Sequence, residues 1–141
     1  MALSQDEREQ FLAEPHIAAL SVYAGDTRGP LTVPIWYHYT PGGQPWILTG
    51  PGSHKARLIE ATGFFTLMVE RTAPTVRYVS VDGAVSSIEP GTDAQLEEIT
   101  RRYLQGDSAE RYLEFARREL GEQVAIHLQP QRWYSADLGA L

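Results

Sequence analysis

The sequence contains no cysteine. That absence excludes disulfides, thiolate metal sites and a cysteine nucleophile. No run of about 18 apolar residues occurs, and the opening stretch has neither the basic region nor the apolar core of a secretory signal. A soluble, cytoplasmic protein without membrane contact is expected. Positive charge is scarce: 12 Lys and Arg against 18 Asp and Glu give a formal net charge of −6. A sequence-independent nucleic-acid binder would show a dominant basic surface, so only local basic pockets remain open. The histidines stand at positions 16, 38, 54 and 127, none at ligand spacing from another and none with a completing carboxylate, so no metal site is expected. No nucleophile elbow singles out a serine for a Ser-His-Asp triad. Lacking thiol, metal set and triad, a catalytic role would lean on a borrowed cofactor that carries the difficult chemistry itself.

What is present suits one domain over residues 1–141, since 43% hydrophobic content at this length supplies a real core and no composition break divides it. Ser4 and Glu7 form a capping box for a short amphipathic helix with Phe11 and Leu12 that Pro15 ends. His16 to Ala24 reads as a strand followed by a turn. From Leu31 to Tyr39 the alternation predicts a strand with Leu31, Val33, Ile35, Tyr37 and Tyr39 on one face and Thr32, Pro34, Trp36 and His38 on the other. Pro34 cannot donate to a ladder, which predicts an edge or a bulge there. Thr40 to Gln44 is hairpin chemistry that returns the chain along Pro45 to Thr49.

Gly63 to Glu70 is apolar on both faces and reads as a central strand. Val76 to Ile88 reads as a long strand interrupted at Gly83, where a bulge or close backbone approach would bend it. Thr92 to Leu120 predicts a helical pair, with Leu96, Ile99 and Tyr103 and then Tyr112, Phe115 and Ala116 at helical spacing. Glu97 with Arg101, Glu98 with Arg102, and Glu114 with Arg118 predict pairs along a solvated face. Gln123 to Trp133 reads as the final strand, followed by a short tail. Six or seven strands with a late helical pair and no strand-helix alternation predict an α+β chain, mainly β, built as an antiparallel split or closed barrel.

Between the end of the third predicted strand and the start of the fourth lies a stretch with the makings of an anion cradle, Leu48 to Glu60. Gly50 and Gly52 allow a tight turn, Ser53 is an N-cap, and Lys55 and Arg57 bring two cations to a helix N-terminus. One cation about 4 Å from one phosphate charge is worth about 4 kcal/mol before desolvation at an effective dielectric of about 20. The same pattern also serves a connection that simply turns and stays soluble. Neither a Walker loop nor a dinucleotide glycine fingerprint fits the stretch.

Taken in order, these segments resemble the pyridoxamine 5'-phosphate oxidase-like split β-barrels. The resemblance rests on the opening helix, the strand Ala18 to Val22, Thr32 to Tyr37, Leu48 and Thr49, the helix with Lys55 to Leu58, and Arg77 to Val85. It is strongest toward the actinobacterial deazaflavin-dependent branch. It implies a homodimer with a cofactor site at the subunit interface, taking the deazaflavin coenzyme F(420) or, as the alternative, flavin mononucleotide (FMN). By residue it implies phosphate contacts from Thr49, Ser53, Lys55 and Arg57, and a ring lying along Val33, Pro34, Ile35 and Trp36. Arg77 is implied near the cofactor tail, and Trp133 near the pocket from the partner subunit. The chain lacks the two-arginine phosphate pattern of the true oxidases and their Arg-His motif near the C-terminus, where Gln129 to Trp133 stands instead. Vitamin B6 oxidation is therefore not expected. An oxidoreductase passing hydride to or from an unsaturated small molecule and a non-catalytic cofactor-binding protein both fit. Tyr37, Tyr39, Trp36 and Trp46 supply the apolar surface for a two-fold interface.

Overall fold

The capping box forms as the sequence predicts: the Glu7 backbone N–H donates to the Ser4 hydroxyl at 3.2 Å, and the Ser4 N–H donates to the Glu7 carboxylate at 3.0 Å. It opens α1 (Gln5–Ala13), which buries only Phe11 and Leu12. The computed structural model describes residues 1–140. After α1 come β1 (Ala18–Val22), β2 (Leu31–Ile35), β3 (Trp46–Thr49), α2 (His54–Thr62), β4 (Phe64–Arg71) and β5 (Val76–Pro90). The helical pair follows as α3 (Asp93–Tyr103) and α4 (Gly106–Phe115), with a π-helical turn at Ala116–Leu120, then β6 (Val124–Leu128) and β7 (Arg132–Gly139). The strands form one curled antiparallel sheet in the order β2-β1-β4-β5-β6-β3, with β7 also paired to β5. This is a split β-barrel of the α+β class. Leu20, Ile47, Leu67, Val79, Val81, Ile126 and Leu128 fill its inside and are all buried.

β2 is an edge strand, which gives Pro34 the position that a residue without an N–H requires. The predicted strand stops at Ile35, four residues short of Tyr39. Beyond it the hairpin to β3 is a single bridge, His38 to Trp46, closed by hydrogen bonds of 2.9 and 3.0 Å. β3 pairs with β6 instead, because the curl carries it to the opposite end of the sheet.

β5 spans both halves of the barrel. Its first part pairs with β4 and β7, and from Val85 onward it pairs with β6 after a register shift between Val85 and Ser87. The bulge therefore lies past Gly83. Gly83 is instead the site of close approach: a Cβ there would sit 1.8 Å from the Gln129 carbonyl oxygen. That crossing also divides the single final strand predicted for Gln123 to Trp133. At Gln129, Pro130 and Gln131 the chain steps over Gly83, with Gln129 N–H donating to the Ala84 carbonyl at 2.8 Å and Gln131 N–H to the Asp82 carbonyl at 3.0 Å. The predicted tail becomes β7.

Two of the three predicted helix-face pairs form, Arg101 with Glu97 at 3.1 Å and Arg118 with Glu114 at 3.6 Å. Arg102 turns away from Glu98 and donates to the Ala13 and Glu14 carbonyls, both at 2.8 Å, so it satisfies the C-terminal end of α1. Glu98 faces His38 at 3.6 Å. No helix among the described residues is long and apolar enough to cross a membrane.

Candidate functional site

α2 begins where the sequence places it. Ser53 has extended backbone and accepts from the Ala56 N–H at 3.2 Å, while Gly63 ends the helix in the left-handed region at φ 76°. The Ser53 Oγ also lies 3.1 Å from Oγ1 of the buried Thr49. That pair uses one of its two hydroxyl protons, so one remains for an incoming acceptor. Lys55 is half-buried and Arg57 exposed on the first turn and a half of the helix. Neither forms a salt bridge among the described residues, although eleven such contacts form elsewhere. Two unpaired cations, a spare hydroxyl proton and the open N–H groups of a helix start form a donor set suited to a phosphate.

The curl of the sheet brings its two ends to one cavity. Pro34 and Ile35 of β2, Trp36 just past its end and Leu48 of β3 line a space of about 370 Å³, which Ile17, Leu96, Ile99, Tyr112 and Gln123 complete. Trp36 is held in place by the helical pair, stacked on Tyr103 with centroids 4.8 Å apart and tilted against Tyr112 at 4.9 Å. Tyr103 is itself anchored. Its hydroxyl donates to the His16 carbonyl at 2.7 Å and accepts from the Tyr37 N–H at 3.1 Å. Tyr112 is the one ionisable side chain of this lining, and burial raises its pKa. The cavity thus offers a neutral, mainly apolar slot.

Thr49, Ser53, Lys55 and Arg57 therefore share one turn, and Pro34, Ile35 and Trp36 share one cavity, joined to that turn through Leu48. Val33 points inward against the core. Arg77 and Trp133 lie apart from this cavity, both tied to α1. Arg77 Nε donates to Asp137 Oδ2 at 2.9 Å, and its guanidinium lies 5.8 Å from the Phe11 ring. Trp133 stands edge-on to Tyr39 at 6.4 Å, under the Arg8 guanidinium at 4.6 Å. The predicted aromatic interface cluster is also occupied within the chain: Tyr37, Tyr39 and Trp46 are buried, and Trp36 packs on the helices. Leu96, Ile99 and Tyr112 recur at helical spacing, which marks an apolar stripe and does not say that part of it faces a cavity. Gln123 carried no signal.

The split β-barrel, with a cation-bearing helix start following the strand that lines an apolar slot, defines the class of fold. The family model of pyridoxamine 5'-phosphate oxidase matches residues 4–137, so the chain belongs to that family. No curated protein matches the sequence. Among solved structures, a conserved hypothetical protein of Mycobacterium tuberculosis superposes with a TM-score of 0.74 at 21% identity, covering 97% of this chain and 86% of its own. An F420 reductase gives 0.69 at 22% identity over 89% of this chain and 94% of its own. An FAD-binding protein of Mesorhizobium loti gives 0.61 at 16% identity over 97% and 95%. These likenesses establish a shared fold.

Proposed function

We propose that the protein is an oxidoreductase that binds the deazaflavin coenzyme and passes hydride between it and an unsaturated small molecule. The observation that carries this reading is the pairing of an unneutralised Lys55 and Arg57 on the Ser53 turn with the neutral slot at Trp36. When bound, a deazaflavin supplies hydride transfer. The chain's own residues would do the rest. Lys55, Arg57, Ser53 and the start of α2 hold the phosphate, with Thr49 orienting Ser53, while the edge of β2 and Trp36 lie along the ring. The apolar lining excludes water, and hydride transfer in such a slot calls for orientation more than for a protein acid or base. The F420 reductase among the structural neighbours supports the deazaflavin over FMN, and the FAD-binding neighbour keeps a flavin as the second reading.

Titration of the purified protein with the deazaflavin and with FMN tests both. Micromolar deazaflavin binding is expected; flavin binding alone would favour the second reading, and binding of neither would end both. Replacing Lys55 and Arg57 together by alanine is expected to weaken binding by about 100-fold, or about 3 kcal/mol. Turnover at an ordinary enzyme rate against unsaturated acceptors would separate catalysis from cofactor storage.

A further inference from the structure

The slot at Trp36 is one of two adjoining cavities. The second, about 440 Å³, shares Leu48, Leu96 and Gln123 with it and extends between the end of β5, the start of α3 and the π-helical turn. Each chamber is near the lower end of the range for small-molecule sites, enough for one ring system. The walls of the second are mainly apolar, from Leu48, Leu96, Ala116 and Val124. Its two closest opposite charges cancel: Arg117 donates to both oxygens of Asp93 at 2.8 and 3.0 Å, with Glu97 a further 3.7 Å from the guanidinium. The remaining charge on the lining is Glu122, which is exposed and repels anions. No cation is left free there for a carboxylate or phosphate. At the junction, Gln123 uses its backbone carbonyl to accept from the Gly91 N–H at 2.8 Å, while its side-chain amide has no partner among the described residues. A half-buried amide in an apolar wall offers a donor to a ligand carbonyl.

We infer that this second chamber binds an uncharged, mainly apolar ring compound bearing a carbonyl, with the Gln123 amide as its polar anchor. Its place as the acceptor chamber rests on the proposed cofactor reading; its occupancy by such a ligand does not.

The test uses the full chain without cofactor, so it is independent of the Lys55 and Arg57 experiment. Acetonaphthone serves as the uncharged probe and naphthoate as its anionic counterpart, followed through backbone amide resonances. The expected result is saturable acetonaphthone binding that shifts Gly91, Gly121 and Val124, naphthoate at least tenfold weaker, and Gln123→Trp reducing acetonaphthone affinity at least tenfold. Absence of saturable binding, shifts restricted to the Trp36 chamber, or naphthoate binding as well as the ketone would each overturn the inference. The shift map and the ligand comparison come from the unaltered protein, so they decide the matter even where Gln123→Trp folds poorly.

Discussion

Tyr103 illustrates how single side chains set this site from outside it. Its hydroxyl satisfies the Tyr37 N–H, which lies on a fully buried residue, and its ring is the surface on which Trp36 stacks. Tyr103→Phe leaves that N–H without a partner and is expected to cost about 1 to 3 kcal/mol in urea unfolding, with the stacking face retained. Asp137 plays a corresponding part on the opposite side. Its carboxylate accepts from Thr75 Oγ1 at 2.6 Å, from the Gly139 N–H at 2.9 Å and from Arg77 Nε at 2.9 Å. The Thr75 hydrogen bond foremost, then the Gly139 N–H and Arg77, hold its pKa down at about 2. Because the folded value lies below the unfolded value of about 3.9, the unfolded chain binds more protons between them. The contribution is complete above about pH 4 and is lost as pH falls toward 2. Melting temperatures recorded across that window are expected to fall less steeply for Asp137→Asn than for the unaltered protein. Equal slopes would show that the carboxylate is not what the acid titrates.

At the scale of elements, β5 is the part on which the others depend, since it pairs with β4, β7 and β6 in turn. Its change of partner occurs where the β6 to β7 connection crosses Gly83. An alanine Cβ there would meet a backbone carbonyl at 1.8 Å, and backbone cannot step aside as a flexible side chain would. Gly83→Ala is expected to cost at least about 2 kcal/mol, the size of a serious overpacking. Gly50→Ala is the fitting control, because nothing lies within 4 Å of its added Cβ. It should stay within about 0.5 kcal/mol in the same denaturant series. Loss of equal size in both would mean that conformational freedom, and not contact, explains the glycine at position 83.

For the whole molecule, the face of the sheet turned away from the core leaves large apolar side chains open to solvent among the described residues. Tyr134 and Leu138 on β7 are 61% and 65% exposed, and Phe64 on β4 is 53% exposed. We propose that a second copy covers this face, in place of the aromatic cluster that the chain buries internally. Sedimentation at micromolar concentration is expected to show a dimer, and Tyr134→Glu with Leu138→Glu is expected to shift it to monomer. A monomer for the unaltered protein would rule out a site shared between subunits.

Local chemistry determined much of this protein from the sequence alone. The Ser4 and Ser53 caps, the edge placement of Pro34 and the helical pair each depend on a few neighbouring residues, and each stands where the pattern predicts. So does the turn that gathers Ser53, Lys55 and Arg57, because one helix start fixes all three. What only the tertiary structure decided depends on long-range closure. Alternation along Leu31 to Tyr39 says which side chains share a face, but not that the strand stops at Ile35 or that β3 pairs across the barrel with β6. The resemblance implies Arg77 near a cofactor tail and Trp133 entering from a partner subunit; within one chain Arg77 meets Asp137 sixty residues onward and Trp133 lies under Arg8, contacts that no local pattern gives. The apolar slot itself exists only because the curl brings Trp36 and Leu48, from opposite ends of one sheet, to face each other beneath Leu96 and Tyr112.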